Sequence, residues 1–206
     1  MKTFPGVEGS IAYGEFAGRQ ARAGGWGELF SDEGSAYWIA REGLNPFSRM
    51  SDGRARKGPL YDLLRDLFQV TADLDSCGAV YGQGAGSRSA IAQLASIVAD
   101  AARAGDTQAR AIFAAATKEL LAIVGAVREQ LRVSPDFALP VSHSGGMFKL
   151  TDLTLEPLKS ALRASPSVYE FVPSMFPPAV GAALYAARSF GAPLTEAALG
   201  MLKRRI

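Results

Sequence analysis

Residues 24–39 of the chain read GGWGELFSDEGSAYWI, a glycine-rich turn that runs directly into the predicted start of a helix. The glycines let backbone N–H groups approach a ligand closely, and Trp26 offers an aromatic face among them. Asp32 stands at the predicted helix start, where its carboxylate could accept hydrogen bonds from two hydroxyl groups. The residues alone favour a structural interpretation, in which Asp32 is the helix N-cap and Trp26 is a partly buried core residue.

The sequence before and after this stretch predicts a hairpin and a helix. Residues 10–13 and 19–22 are expected to pair as antiparallel strands around Ala17-Gly18. The helix that begins at residues 31–33 is expected to stop at Asn45-Pro46, because proline removes a helical hydrogen bond.

The central part of the chain has the apolar spacing of helices, interrupted by polar or glycine-containing breaks. The three predicted helices cover residues 60–68, 87–104 and 106–131. Residues 49–58 are polar and indicate a loop before the first of them. Gly105 is expected to end the second helix, and Asp106 is expected to cap the third.

After residue 135 the pattern changes to short strands that alternate with turns and helices. The predicted strands cover residues 137–141 and 168–172, and the predicted helices cover residues 152–162 and 179–188. A tight glycine turn at residues 144–146 follows the first strand. This alternation is typical of an α/β fold with parallel strands.

Composition excludes several functional classes. The formal net charge is only +2, and the basic residues are not clustered with aromatic residues, so we expect no nucleic-acid partner. One cysteine, Cys77, and one histidine, His143, exclude a disulfide framework and a His- or Cys-rich metal site within one chain. The N-terminal sequence has no signal peptide pattern and no segment is apolar enough to span a membrane. A cytoplasmic protein is the expectation.

Several sequence runs together resemble one family. The run quoted first is very similar to the glycine–tryptophan–glycine and Asp-Glu-Gly-Ser run of the N-acetylglucosamine kinases, in the BadF/BadG/BcrA/BcrD ATPase family. Further matching runs, in the family's order, are GSIAYG at residues 9–14, VYG at 80–82 with Ser87-Arg88, SGGMF at 144–148 and PPAVGAA at 177–183. The resemblance covers about residues 7 to 190. It implies an actin-like, hexokinase-like (ribonuclease H-like) ATPase lobe, α/β in class and helix-rich with a short, partly parallel sheet.

The resemblance also implies the binding residues. The positions that match the family's amino sugar site are Gly25, Trp26, Gly27 and Asp32. The positions that match its ATP site are Gly9 and Ser10 at the phosphates and Ser144, Gly145 and Gly146 near the adenosine. The implied cofactors are ATP and Mg²⁺, and no residue is expected to ligate a metal directly. His143, beside the adenosine turn, is expected to be structural or solvent-facing.

The chain departs from the family at its start. Val7-Glu8-Gly9-Ser10 stands where the family has Gly-Thr-Gly-Ser, and the carboxylate of Glu8 would repel phosphate unless a metal ion intervenes. Thr3-Phe4-Pro5 replaces an apolar strand. We expect one C-terminal-type lobe, divided into a partial phosphate loop and hairpin (residues 1–30), a helical section (31–135) and an α/β section (136–206). The N-terminal lobe, with the first phosphate loop and the catalytic base, is expected to be missing through truncation or to be a separate chain.

Three functions therefore stay open. The first is phosphorylation of an amino sugar such as N-acetylglucosamine at its 6-hydroxyl, with this chain incomplete for catalysis. The second, ranked lower, is an activator ATPase of acyl-CoA dehydratases, which would need a cysteine-held iron–sulfur cluster. The third is a non-catalytic module for self-association, such as a homodimer, or for ligand sensing.

Overall fold

The sheet of this protein combines an antiparallel hairpin with parallel strands. The computed structural model describes residues 6–82 and 87–204, with the side chains of residues 6–8 left out. Its strands are β1 (Gly6–Glu8), β2 (Ile11–Phe16), β3 (Arg19–Gly24), β4 (Leu139–Ser144) and β5 (Tyr169–Phe171). They lie in the order β3-β2-β1-β4-β5. β2 is antiparallel to both of its neighbours, whereas β1, β4 and β5 run parallel.

The predicted hairpin is confirmed. β2 and β3 pair from Ile11↔Gly24 to Phe16↔Arg19, which leaves Ala17 and Gly18 as the turn. Both turn residues have positive φ, 48° and 79°, as expected for a two-residue turn whose twist matches that of the strands.

Nine helices are assigned among the described residues. They are α1 (Ala36–Ser51), α2 (Pro59–Phe68), α3 (Ser76–Tyr81), α4 (Arg88–Gln93), α5 (Ala95–Arg103), α6 (Thr107–Leu131), α7 (Glu156–Arg163), α8 (Pro178–Ser189) and α9 (Glu196–Lys203). The predicted helices at 60–68, 106–131 and 179–188 are confirmed, and Asp106 caps α6 as expected. No helix in the described part of the chain is long and apolar enough to cross a bilayer.

Helix α6 joins two cores. Its 25 residues span about 38 Å at 1.5 Å per residue. Its first half, including Ile112 and Phe113, packs with α1, α2 and α5 in a helical core. Its second half, including Val124 and Leu131, packs on the sheet and α7 in a second core. One long amphipathic helix therefore fixes the helical section against the sheet.

The structure corrects the boundaries of the helix after the glycine turn. Ser35, rather than a residue at 31–33, caps α1: its side chain accepts a hydrogen bond from the Trp38 N–H at 3.1 Å. The helix also continues through Pro46 to Ser51, so part of the predicted loop at 49–58 is helical. Pro46 and Phe47 are both buried, Phe47 within the helical core, and this burial offsets the hydrogen bond that proline lacks.

Other boundaries also differ. The predicted helix at 87–104 is two helices, because the chain tightens at Leu94 with i→i+3 bonds on both sides. The predicted helix at 152–162 begins with a π-helical turn, Thr151–Leu155, before α7. The predicted strand at 137–141 is shifted to Leu139–Ser144, and Phe137 is exposed. The predictions for Thr3-Phe4-Pro5 and for the carboxylate of Glu8 fall outside the described residues and side chains.

Candidate functional site at the carboxyl edge of the sheet

The two glycine turns predicted to bind nucleotide lie at the same edge of the sheet. β1 and β4 are parallel neighbours, and their pairing ends with Glu8 opposite Ser144. The turn Gly9-Ser10 follows β1, and Gly145 follows β4 directly. In open α/β sheets, ligands bind beyond the carboxyl ends of parallel strands. The topology therefore places residues 9–10 and 144–146 beside each other where such a ligand would lie.

Asp32 is a buried residue in a strained backbone conformation. Its φ is +63°, in the left-handed region that residues other than glycine seldom adopt, although aspartate is found there more often than most. The residue is 5% exposed. The structural interpretation of Asp32 as helix N-cap is wrong, because the cap is Ser35, whose N–H donates to the Asp32 carbonyl at 3.0 Å. The Asp32 carboxylate therefore does not cap α1 and forms hydrogen bonds with other groups.

Three groups donate to that carboxylate. Oδ1 of Asp32 accepts a hydrogen bond from the Ser10 hydroxyl at 3.1 Å and a longer one from the Gly27 N–H at 3.4 Å. Oδ2 accepts from the Arg88 guanidinium at 2.7 Å. The structure therefore brings Asp32, Ser10 and the glycine–tryptophan–glycine turn together, although Ser10 and Asp32 were assigned to different ligands from the sequence.

Arg88 and Glu28 belong to this cluster and were missed by the sequence analysis as site residues. Nε of Arg88 lies 2.9 Å from Oε2 of Glu28, while another nitrogen of the same guanidinium bonds Asp32. Arg88 is the first residue of α4, after the N-cap Ser87. The sequence feature that could have indicated Arg88 is the run Ser87-Arg88, which resembles the family. Nothing in the sequence shows, however, that this run lies next to Asp32.

The glycine turn holds Trp26 out in solvent. Trp26 is 72% exposed, so its interpretation as a partly buried core residue is wrong. Gly24 and Gly25 both have positive φ, and a side chain on either would collide with its neighbours. A Cβ on Gly24 would lie 2.1 Å from the Ser10 carbonyl oxygen, and one on Gly25 would lie 2.2 Å from the Ile11 side chain. These glycines let the turn pack against residues 10–11 while the indole stays accessible.

The turn after β4 borders a groove of about 480 Å³. Gly145 has a φ of +104°, and Gly146 has open space where a side chain would point. His143, Ser144, Phe148, Lys149, Ser174 and Phe176 are among the residues that line the groove. The predicted tight turn is confirmed, and the absent side chains leave room for a ligand to approach the backbone.

His143 is a packed residue beside this groove. Its ring lies 5.1 Å from the ring of Phe148 and 5.2 Å from that of Phe171. Burial lowers the pKa of the His143 imidazole below its ordinary value, and the positive charge of Lys159 acts in the same direction. Its surroundings are those of a structural, uncharged histidine.

The described residues offer no ready-made metal centre. Across 6–82 and 87–204, no three His, Cys, Asp or Glu side chains come together in a way that could hold a metal ion. Cys77 is exposed and has no disulfide partner.

Comparison with known proteins identifies the family. The model of the BadF/BadG/BcrA/BcrD ATPase family matches residues 4–186. The chain belongs to the BadF/BadG/BcrA/BcrD ATPase family, as the sequence resemblance predicted.

Two relatives of the chain are named as sugar kinases. The chain is 35% identical over 124 residues to the N-acetylmuramic acid/N-acetylglucosamine kinase of Clostridium acetobutylicum, a match covering 60% of this chain and 40% of that protein. It is 26% identical over 172 residues to the N-acetyl-D-glucosamine kinase of Dictyostelium discoideum, covering 84% and 54% of the two chains.

Solved structures show the same fold. A crystal structure of a candidate N-acetylglucosamine kinase from Chromobacterium violaceum matches with a TM-score of 0.61 and 26% identity, over 80% of this chain and 53% of that one. A crystal structure of a candidate N-acetylglucosamine kinase from Porphyromonas gingivalis matches with a TM-score of 0.55, over 84% of this chain and 57% of that one. Its sequence identity is 15%, so it supports the fold alone. The fold is that of the actin-like ATPases, helix-rich with a small parallel sheet, as predicted. The chain spans about half the length of these proteins.

Proposed function

We propose that this chain supplies the sugar-binding and nucleotide-binding elements of an ATP-dependent sugar kinase that phosphorylates N-acetylglucosamine, or a closely related amino sugar, at its 6-hydroxyl. The observation that carries the proposal is the hydrogen bond from Ser10 to Asp32, which joins the turn assigned to the phosphates to the carboxylate assigned to the sugar. Two ligands that must react have to be held next to each other, and this contact puts their binding elements side by side.

The residues of the sugar site have distinct roles in this proposal. Gly25, Trp26 and Gly27 form an accessible turn, on which the exposed indole can cover an apolar face of the sugar ring. Asp32 accepts a hydrogen bond from a sugar hydroxyl through the lone pair of Oδ2 that its three protein donors leave available. A site built to bind hydroxyl groups discriminates strongly against analogues that lack them.

The residues of the nucleotide site use backbone groups. Gly9 and Ser10 face the phosphates through N–H groups. Ser144 and Gly145 line the groove that receives the adenosine, and Gly146 follows them in the same turn. The open space at Gly146 and the positive φ of Gly145 fit a close approach of nucleotide to backbone. When bound, ATP supplies the phosphoryl group, and Mg²⁺, held mainly by the phosphates, neutralises their charge.

We assign no catalytic base among these residues. Asp32, the buried carboxylate at the site, is committed to Ser10, Gly27 and Arg88. We propose that the base which deprotonates the sugar hydroxyl comes from a second lobe, in the same or a separate chain, since the relatives are about twice as long as the region matched.

A second candidate, a non-catalytic association module, is favoured by one feature. Leu29 and Phe30 are 89% and 74% exposed beside Trp26, an apolar surface of a kind that often marks a contact between proteins.

Thermal unfolding of the purified chain tests the proposal. N-acetylglucosamine at a hundredfold excess over its Kd stabilises the native state by about 2.7 kcal/mol through mass action. We expect a raised Tm with N-acetylglucosamine, no rise with ribose, and a smaller rise in Asp32→Asn and in Trp26→Ala, whose weakened binding stays measurable at higher sugar concentration. A cooperative transition that no amino sugar shifts would reject the sugar site and leave the association module ahead. Size-exclusion chromatography of wild type and of a Leu29→Ser/Phe30→Ser variant then tests that module directly.

A further inference from the structure

Among the described residues, the positive charge that contacts Asp32 comes from a side chain in a distant part of the sequence. Only 7% of the Asp32 side chain is exposed. A buried carboxylate that has lost its hydration is costly unless a partner of opposite charge and further hydrogen bonds replace the water. Arg88, 2.7 Å from Oδ2, supplies that charge, while Ser10 and Gly27 supply neutral donors at Oδ1.

The Arg88 guanidinium is held from a helix and not from the glycine turn itself. Ser87 caps α4 by accepting from the Ala90 N–H at 3.2 Å, which fixes Arg88 as the first helical residue. α4 packs along α1, the helix that begins just after Asp32. The backbone of Arg88 is therefore fixed by packed helices, and its side chain, which is 52% exposed, reaches from there to the loop that carries Asp32.

Arg88 also connects the two ends of the short loop between the tryptophan turn and α1. Its Nε bonds Glu28 at 2.9 Å, and its terminal nitrogen bonds Asp32. The Ser31 N–H donates to the Gly27 carbonyl at 3.0 Å across the same loop. A planar guanidinium can hold two carboxylates at fixed angles, which the single ammonium of a lysine cannot reproduce.

We propose that Arg88 is the positioning residue of the sugar site: it holds the Asp32 carboxylate in one orientation, so that the remaining lone pair of Oδ2 faces a sugar hydroxyl. The inference rests on the proposed function for the identity of the ligand. Arg88 acts through Asp32 and Glu28 and does not itself contact the sugar. The strained φ of Asp32 adds to the need for such support, since an unsupported residue would relax out of the left-handed region.

A double-mutant cycle on the full chain tests this inference. Sugar affinity is measured by calorimetry with N-acetylglucosamine for wild type, Arg88→Ala, Arg88→Lys, Asp32→Asn and the double variant Arg88→Ala/Asp32→Asn. We expect Arg88→Ala to weaken binding about tenfold or more, as loss of a group that orients a ligand-binding side chain does elsewhere. Arg88→Lys should recover part of the loss. In the Asp32→Asn background, removing Arg88 should change the affinity less than about twofold, because coupled residues are not additive.

A matched control separates this effect from loss of any ion pair. Arg103 forms a comparable, exposed pair with Asp152, at 2.9 and 2.8 Å. We expect Arg103→Ala to leave sugar affinity unchanged. An affinity loss from Arg88→Ala that persists fully in the Asp32→Asn background would overturn the inference, since Arg88 would then act as a direct ligand.

A ligand-free measurement keeps the inference testable if no sugar binds. The chain has two tryptophans, so Trp38→Phe leaves Trp26 as the only one. In that background, acrylamide quenching of Trp26 reports the conformation of the turn. We expect Arg88→Ala and Asp32→Asn each to change the quenching, with no further change in the double variant. If no sugar binds but the quenching changes are coupled in this way, the proposed function is rejected and the role of Arg88 in positioning Asp32 stands. If quenching in Arg88→Ala is the same as in the parent protein, the positioning role is rejected.

Discussion

The hydroxyl of Ser10 donates a hydrogen bond of 3.1 Å to Oδ1 of Asp32, and both residues are buried. Ser10 follows the first strand of the sheet, and Asp32 lies between the hairpin and the first helix. The bond therefore connects the end of a parallel strand, where nucleotides bind in this class of fold, to the loop that carries the exposed tryptophan.

Replacing Ser10 with alanine should loosen Asp32. The carboxylate would lose one of its donors in a buried setting, which costs about 1–3 kcal/mol. We expect Ser10→Ala to lower the free energy of unfolding by this amount and to weaken the binding of N-acetylglucosamine as well. Urea denaturation and calorimetry measure the two effects.

The control for this prediction is Ser96→Ala. The Ser96 hydroxyl is exposed and donates only to the Gln93 carbonyl of the preceding turn. This variant should change stability by less than about 0.5 kcal/mol. Equal stability of Ser10→Ala and wild type would show that the bond to Asp32 contributes nothing measurable.

Two glycines of the tryptophan turn should respond differently to alanine. A Cβ on Gly24 would overlap the Ser10 carbonyl oxygen at 2.1 Å, whereas a Cβ on Gly27 meets nothing within 4 Å. Positive φ alone costs an alanine about 1–2 kcal/mol. We therefore expect Gly24→Ala to destabilise the chain by about 3 kcal/mol or more, and Gly27→Ala by only about 1–2 kcal/mol, in the same denaturation assay.

The control here is a glycine with ordinary helical geometry. Gly125 lies within α6, and a Cβ there also meets nothing within 4 Å. Gly125→Ala should stabilise the chain by about 0.5–1 kcal/mol, because alanine loses less backbone entropy in a helix. If Gly24→Ala were as mild as Gly27→Ala, the close approach of the turn to Ser10 would be wrong.

Asp106 should be the most sensitive capping residue. Its Oδ1 accepts from the N–H groups of Gln108 and Ala109 in α6, and its Oδ2 accepts from the Leu60 N–H at the start of α2. One buried carboxylate thus caps two helices. Asp106→Ala removes both caps, and we expect a loss of about 2–4 kcal/mol by urea denaturation.

Asparagine distinguishes the two caps at this position. Asp106→Asn keeps one side-chain carbonyl oxygen, which caps α6 as well as the carboxylate does. Its amide NH₂ group would face the Leu60 N–H, however, and two donors cannot form a hydrogen bond with each other. We expect an intermediate loss. If Asp106→Asn were destabilised as much as Asp106→Ala, this division of roles would be contradicted. The control is Asp100→Ala, which removes an exposed carboxylate and should leave stability nearly unchanged.

The sequence predicted the local structure best where one residue type decides it. Ala17-Gly18 defines the hairpin turn and Asp106 the start of α6, because turn and cap chemistry act over a few residues. The start of α1 was predicted wrongly because residues 31–35 contain three suitable caps, Ser31, Asp32 and Ser35. Ser35 is selected by the tertiary contacts that draw Asp32 towards Ser10 and Arg88.

The candidate site was predictable only in its separate parts. The resemblance to a family indicated Ser10, Trp26, Asp32 and the turn at 144–146, each in its own segment. That Ser10 bonds Asp32 follows from the β1–β2 turn, and that Arg88 bonds Asp32 follows from the packing of α4 on α1. Both contacts depend on residues far apart in the chain, which no local pattern reports.

The stability of the chain should fall as the pH drops from about 7 to 5, and His143 should account for part of the fall. Burial and Lys159 lower the pKa of His143 in the folded state, while in the unfolded state it stays near 6.5. Between these two values the unfolded chain binds more protons, so stability decreases with decreasing pH and levels off below the folded pKa. Tm measured across this range gives the slope.

His143→Phe isolates this contribution. A phenyl ring can keep the contacts with Phe148 and Phe171 but takes up no proton. We expect its Tm to depend less on pH in this window than that of wild type. Since His143 is the only histidine of the chain, its imidazole resonances give the folded pKa directly by NMR. A folded pKa at or above 6.5, or equal slopes for both proteins, would contradict the prediction.

Arg128 should be the most damaging arginine to remove. It is 3% exposed and donates to the carbonyls of Ser134, Pro135, Phe137 and Val168, with its guanidinium 4.9 Å from the Tyr169 ring. Arg128→Ala removes these four hydrogen bonds and leaves a cavity where the buried side chain was, so we expect the free energy of unfolding to fall by about 2–4 kcal/mol, against less than about 0.5 kcal/mol for the exposed Arg163→Ala. Faster hydrogen exchange at the Leu139 amide, which donates to the Val168 carbonyl, would locate the loosening between β4 and β5. An Arg128→Ala variant of wild-type stability would show that water can replace the guanidinium at these carbonyls, and that the strand leading to the Ser144 turn does not depend on it.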